Sequence, residues 1–171
     1  MATLSIREFP DIILRQKAKK VRQIDQSIQK LADDMIDTLH HANGAGLAAN
    51  QVGVLRRVIV IQLPDEEEPR VYINPEIIYR EGEREVEEGC LSVPGYKAII
   101  TRSVWLKAKG LDRTSKLVKL KADGLLAQVL EHEIDHLNGI LYVDHLKSHQ
   151  DLVRLDSQMG QHSMEVTPQQ R

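Results

Sequence analysis

Two histidines four residues apart, His132 and His136, flank a glutamate that directly follows the first, within HEIDHLNGILY at 132–142. On an α-helix, positions four apart share a face, so both imidazoles can aim a ring nitrogen at one metal ion. Glu133 projects to the side, where it reaches water at the metal rather than the metal itself and can act as a general base. Two histidines and three acids in the largely apolar run LLAQVLEHEIDHL also call for a compensating cation, because unpartnered buried polar groups are costly. The pattern almost extends to the longer H-E-x-x-H-x-x-G-x-x-H signature. Gly139 is in place, but Tyr142 stands where the third histidine belongs.

The third ligand decides the chemistry. Downstream of His136 the only glutamate is Glu165, near the chain end, and Asp144, Asp151 and Asp156 follow no ligand spacing. His145 and His149 are available, in surroundings that read as solvated. Upstream, Cys90 lies in EGCLSVPG, bounded by Gly89 and by Pro94-Gly95, a turn-like context next to acidic residues. A lone cysteine is commonly just a small buried hydrophobe. A thiolate with two imidazoles nevertheless suits zinc or ferrous iron and leaves a coordination position open for chemistry. A structural zinc site would take four protein ligands, and the chain has no second cysteine.

Several elements must hold these residues in place. In IDQSIQKLADDMIDTLHHANG, Asp25 can cap a helix on which Ile28, Leu31, Met35 and Leu39 recur at helical spacing, with Asn43-Gly44 as a left-handed stop. GAGLAANQVG is rich in small residues and shows no clear period. RRVIVIQL at 56–63 reads as a buried strand and PDEEEP as a charged loop tip. VYINPEIIYR is strand-like with an interruption at Pro75, and YKAIITR, SVWLKAKG and KLVKLK read as further strands. ADGLLAQVLEHEIDHLNG then forms the ligand-bearing helix, with Asp123 as its cap and Asn138-Gly139 as its end. SHQDLVRLDSQMG suggests a short C-terminal helix, and about 160–171 a frayed polar tail. Helix, several strands, then a central helix predicts an α+β fold in which a mainly antiparallel sheet wraps a metal-binding helix, with N-terminal and C-terminal helices. No domain boundary is visible, so residues 1–171 read as one catalytic domain.

Bulk composition limits the function classes. Hydrophobic content of 42% and charged content of 28% describe an ordinary globular chain. Its net charge of −2, from 23 basic and 25 acidic side chains, exerts no global pull on nucleic acid or anionic lipid. The N-terminus lacks a secretory signal pattern, no apolar stretch is long enough to span a bilayer, and one cysteine cannot close an internal disulfide. A cytoplasmic setting is the expectation.

Three stretches together resemble peptide deformylases: GAGLAANQ at 44–51, EGCLS at 88–92 and HEIDH at 132–136, in that order. The similarity extends from the first residues to about 147. It implies hydrolytic removal of the formyl group from the N-terminal formyl-methionine of newly synthesised polypeptides. Cys90, His132 and His136 would be the metal ligands and Glu133 the catalytic acid/base. The Gln51 side-chain amide and the backbone N–H of Leu91 would stabilise the developing oxyanion. The metal implied is Fe2+, with Zn2+, Ni2+ or Co2+ as substitutes. From the residues themselves, Gly44, Ala45 and Gly46 would let backbone approach substrate closely, and Leu91 and Val129 are weak candidates for the methionine pocket. Glu88 and Asp135 adjoin the ligands and are candidates to orient them, and the resemblance implies an Arg102–Asp135 pair. The partners implied are nascent formyl-methionyl peptides. A transient ribosome contact is compatible with Lys17, Lys19, Lys20 and Lys147, though scattered lysines usually serve solubility.

Overall fold

The computed structural model describes residues 2–155. Helix α1 (Gln26–Ala42) begins at Asp25, whose carboxylate accepts from the Ser27 and Ile28 N–H groups, and ends on Asn43 in the left-handed conformation at φ 54°. Eight strands follow or flank it: β1 (Gly46–Ala48), β2 (Val58–Ile61), β3 (Arg70–Glu81), β4 (Arg84–Cys90), β5 (Val93–Arg102), β6 (Trp105–Leu111), β7 (Leu117–Asp123) and β8 (Val153–Arg154). Helix α2 (Gly124–Leu137) directly follows β7.

All named pairings are antiparallel, in a five-stranded sheet of order β1-β2-β3-β6-β7 and a three-stranded sheet of order β4-β5-β8. The unbroken apolar run of β2 has a simple cause: both faces of the strand are covered. Val58 and Val60 pack with Ile28, Met35 and Leu39 of α1. Ile59 and Ile61 pack with Ala127, Leu130, Ile134 and Leu137 of α2. Successive strand side chains point to opposite faces, so one short strand serves two cores. A third cluster, including Leu14, Ile100, Leu141 and Tyr142, joins the small sheet to the chain after α2.

The expected α+β architecture with α2 at its centre is present. Three local expectations are corrected, and one unassigned stretch gains an element. Pro75 does not interrupt its strand: β3 continues through it, and the register shifts between Ile73 and Glu76, an irregularity that accommodates a residue without an N–H. The acidic stretch before Cys90, assigned no element from its composition, is the strand β4. Glu85 and Glu87 face solvent there while Glu88 turns inward. Asp123 precedes α2 but makes no side-chain capping bond; the chain enters the helix through Gly124 at φ 53°. Finally, residues 149–151 form a 3-10 turn and Val153–Arg154 a short strand on β5, rather than the start of an α-helix. The remainder of that predicted helix, the 160–171 tail and Glu165 lie outside the described residues. No helix among the described residues is long and apolar enough to cross a membrane.

Candidate metal centre

Helix α2 carries His132, Glu133 and His136 on its buried side. His136 Nε2 lies 3.1 Å from His132 Nε2 and 3.3 Å from Cys90 Sγ. One donor atom from each of Cys90, His132 and His136 falls within 4.8 Å of the others, the one such group of three or more among the described residues. Cys90 reaches this point because it ends β4 at a tight turn, where its partner across the sheet is already Val93. Its sulfur accepts from the Ser92 N–H at 3.4 Å and from Gln51 Nε2 at 3.7 Å. Two imidazole lone pairs and a sulfur facing one another at these distances repel unless a proton or a cation lies among them. Borderline nitrogen donors and one soft sulfur suit a divalent transition metal.

A ladder of charges stands behind His132. His132 Nδ1 is 2.6 Å from Glu88 Oε2. The Arg102 guanidinium donates to both Glu88 oxygens, at 3.1 and 2.6 Å, and to Asp135 Oδ2 at 2.8 Å. His145 Nε2 closes the row 2.9 Å from the same Asp135 oxygen. Glu88 and Arg102 are buried. Burial alone would raise the Glu88 pKa, but hydrogen bonds from His132 and Arg102 overcome it and hold the carboxyl at about 2. Burial works against the His132 imidazolium too. Cys90 and Glu88 outweigh it and keep its pKa well above the usual value. His136 is pushed well below by burial and by its charged neighbour His132. A carboxylate behind a ligand imidazole fixes its tautomer and raises its basicity. His136 has no such support: its Nδ1 finds no partner among the described residues.

Glu133 is the acid without a partner. It is almost fully buried, its Oε2 accepts no hydrogen bond, and its Oε1 stands 4.0 Å from His132 Nε2. Burial raises its pKa to about 7. A carboxyl poised near neutrality at the floor of a cleft can both take and return a proton. The cleft holds about 460 Å³ and is lined by Gly46, Gln51, Leu91, Val129 and Glu133 together with Cys90 and His132. A Cβ on Gly46 would come within 2.7 Å of both Glu133 Oε1 and Val129 Cγ1, so only glycine lets β1 approach the helix this closely. Gln51 is held by its own amide: Oε1 accepts from the Ala48 N–H at 2.9 Å, and Nε2 donates to Ser92 Oγ at 3.1 Å.

Among the site residues read from the sequence, Gly46, Gln51, Cys90, Leu91, Val129, His132 and Glu133 line this cleft, and His136, Arg102 and Asp135 lie directly behind it. Tyr142, in the place of a protease histidine, is no donor to the cluster. It is buried and its ring stacks on His132 with centroids 6.3 Å apart. Gly139, the other echo of the protease pattern, terminates α2 at φ 75°, where a Cβ would meet Arg15 O at 2.5 Å. The sequence reading missed Ser92, and it took His145 as a spare donor in solvated surroundings where the structure places it at the end of the ion ladder. Ser92 lies two residues after Cys90 within EGCLS, which is the one signal that marked it.

Three convergent donors, a side face carrying an unpartnered acid, and an open cleft between sheet and helix define a metal-dependent hydrolase. The profile of the polypeptide deformylase family matches residues 3–151. Peptide deformylases from Dehalococcoides mccartyi and Thermodesulfovibrio yellowstonii are similar in sequence. The first is 57% identical over 152 residues, 89% of this chain and 91% of that protein. The second is 50% identical over 147 residues, 84% of this chain and 89% of that protein. A Legionella pneumophila peptide deformylase superposes with a TM-score of 0.84 at 42% identity, covering 98% of this chain and 100% of that one. A Synechococcus elongatus peptide deformylase in complex with actinonin also gives 0.84, at 36% identity, covering 97% and 89%. The chain belongs to the polypeptide deformylase family.

Proposed function

We propose that Cys90, His132 and His136 hold one divalent ion, Fe2+, for the removal of the formyl group from the N-terminal formyl-methionine of new polypeptides, with release of formate. The observation that carries this reading is the convergence of Glu133 and the three donors on a single cleft floored by α2. When bound, such a cation supplies Lewis acidity: it polarises a carbonyl oxygen and makes water ionisable near pH 7.

The remaining work falls to the chain. Gly46, Leu91 and Val129 line the cleft beside Glu133 and would seat the methionine side chain and its backbone. Glu133 takes the proton of the attacking water and returns it to the leaving amine, a role suited to its pKa of about 7. As the formyl carbon becomes tetrahedral, negative charge develops on its oxygen. The Gln51 amide N–H and the Leu91 backbone N–H stabilise that charge, a preorganised donor being worth about 3 kcal/mol. Ser92 and the Ala48 N–H hold the Gln51 amide in one orientation, and the second Nε2 hydrogen, directed at Cys90 Sγ at a long 3.7 Å, is the one that turns to the oxyanion. The small hydrogen on the formyl carbon permits close approach in a cleft where an internal peptide bond carries bulk on both sides.

Residues 1–171 act as one catalytic domain in this reading, in the cytoplasm, on nascent chains. The exposed Lys17, Lys19, Lys20 and Lys147 are compatible with a transient ribosome contact. The mixed sulfur and nitrogen donor set accepts zinc or ferrous iron, and ferrous iron is the ion that membership of the family favours. Purification without oxygen, metal analysis and formate release from formyl-methionyl peptides test the whole assignment. Glu133→Ala is expected to retain stoichiometric metal and lose activity by about 10²–10⁴-fold. Near-normal turnover in that variant, or cleavage of internal amide bonds in preference to the formyl group, refutes it.

A further inference from the structure

The face of the large sheet turned away from α2 carries a charge pattern that the hydrolytic site leaves unexplained. In β6 and β7, Leu106, Ala108 and Ala122 point inward and pack with Ala127, Leu130 and Ile134 of α2. The alternate residues therefore point outward. Among them, Lys107 lies directly across from Lys121, and Lys109 directly across from Lys119. Like charges directly opposite in a sheet destabilise it. Lys109 is offset by Glu76 at 3.8 Å. Among the described residues, Lys107, Lys119 and Lys121 have no carboxylate within 4 Å, and all three are exposed.

An aromatic pair borders the same lysines. Tyr79 lies across from Lys107, and Trp105 two residues along β6. Their ring centroids are 5.3 Å apart with planes tilted by 42°. Tyr79 is 46% exposed. Lys121 Nζ sits 4.3 Å from the Trp105 ring centroid, so the cationic rows meet the ring pair on one side, while Glu81, bonded to the Tyr79 hydroxyl, and Asp123 stand across from Trp105 at the far edge of the patch. Cations that track a phosphate backbone beside aromatic rings that accept unpaired bases are the two parts of a single-strand binding surface. A net charge of −2 for the whole chain makes the concentration local, not a consequence of a basic protein.

We propose that the outer β6–β7 face, with Tyr79 and Trp105 at its border, docks single-stranded RNA through its phosphates and one or two unstacked bases. The choice of RNA rests on the formyl-methionine reading, since such substrates arise where polypeptides are made on RNA. None of the four lysines lines the hydrolytic cleft. A bound strand would thus hold the enzyme from behind while the cleft stays open to a peptide.

The test is fluorescence anisotropy of the metal-loaded enzyme with a labelled, unstructured RNA of about 12 nucleotides. Neutralising about three phosphates predicts a fall of log affinity with log salt of slope about −2. The charge reversals Lys107→Glu, Lys119→Glu and Lys121→Glu together are expected to weaken binding more than about tenfold and to flatten that slope. Trp105→Ala is expected to weaken it about 5- to 100-fold with little change of slope. Formate release from a short formyl-methionyl peptide should stay within about twofold of wild type in the triple variant, because the cleft lies on the other side of the sheet. Absence of RNA binding at about 50 mM salt, unchanged binding by the triple variant, or tighter binding of anionic phospholipid vesicles or single-stranded DNA than of RNA overturns the proposal. Peptide turnover by the wild-type enzyme is read separately, so failure of the hydrolytic assignment is distinguishable from failure of this one.

Discussion

Arg102→Ala should be among the most damaging substitutions in this protein, although Arg102 is not a metal donor. Its guanidinium is buried and makes three charge-assisted bonds, two to Glu88 and one to Asp135. Truncation leaves Glu88 inside the protein with one polar partner fewer on each oxygen. Breaking a buried pair by removing one member costs about 3–5 kcal/mol. A separate route gives a similar figure. Holding Glu88 at about 2, against 4.5 for the free side chain, corresponds to about 3 kcal/mol, of which His132 supplies a share. For a chain of this size each kcal/mol moves the melting temperature by about 2–4 °C, so a fall of roughly 6–20 °C is expected. The pH dependence has a definite sign. Because the folded pKa is depressed, this stabilisation is fully present above about 4.5 and is lost as pH falls toward about 2. Arg102→Ala should therefore lose much of the acid-dependent slope in that window. Arg102→Lys should recover only part of the loss, since a lysine cannot span both Glu88 oxygens. Urea unfolding of the metal-loaded enzyme at several pH values measures both effects. A variant within about 0.5 kcal/mol of wild type, with an unchanged acid slope, would refute the idea that the ladder stabilises the site.

Three further expectations follow from the cleft and its supports. Gly46→Ala places a methyl against Glu133 Oε1 and Val129 Cγ1 at 2.7 Å, so turnover should fall by about 100-fold with the fold retained, as read by formate release and circular dichroism. Gln51→Ala removes one oxyanion donor and should lower kcat by about 10²–10³ with little change in metal content; an effect confined to KM would assign Gln51 to substrate binding instead. Gly139→Ala combines a positive φ with a 2.5 Å approach to Arg15 O, and a loss of about 2–3 kcal/mol in thermal unfolding is expected, with metal stoichiometry preserved in the folded fraction.

Some of this was legible because it depends on neighbours along the chain. The 3.6-residue helix repeat alone puts His132 and His136 on one face and Glu133 beside them. The spacing of Ile28, Met35 and Leu39 and the position of Asp25 likewise announce α1, and both are where they were expected. Most of what the sequence left open depended on partners distant along the chain. Pro75 breaks an isolated strand pattern, yet β6 accepts it through a shift of register. The acidic run before Cys90 carries no element signal of its own, and becomes a strand because β5 pairs with it and Arg102 draws Glu88 inward. Asp123 has the composition of a cap, but the φ of Gly124 determines how α2 begins.

The same division holds for the site. Residue types and local spacing by themselves determined that a metal-binding helix exists, that an acid stands beside its ligands, and that a single thiol is available as a further ligand. Tertiary structure alone decided that Cys90, ending β4, comes within 3.3 Å of His136, that Arg102 of β5 braces Glu88 behind His132, and that Gly46 of β1 closes against Glu133. The physical reason is that helix geometry is set by bonds between near neighbours. The other contacts are set by how two sheets and a helix bury their apolar faces together, and no short stretch of sequence contains that information.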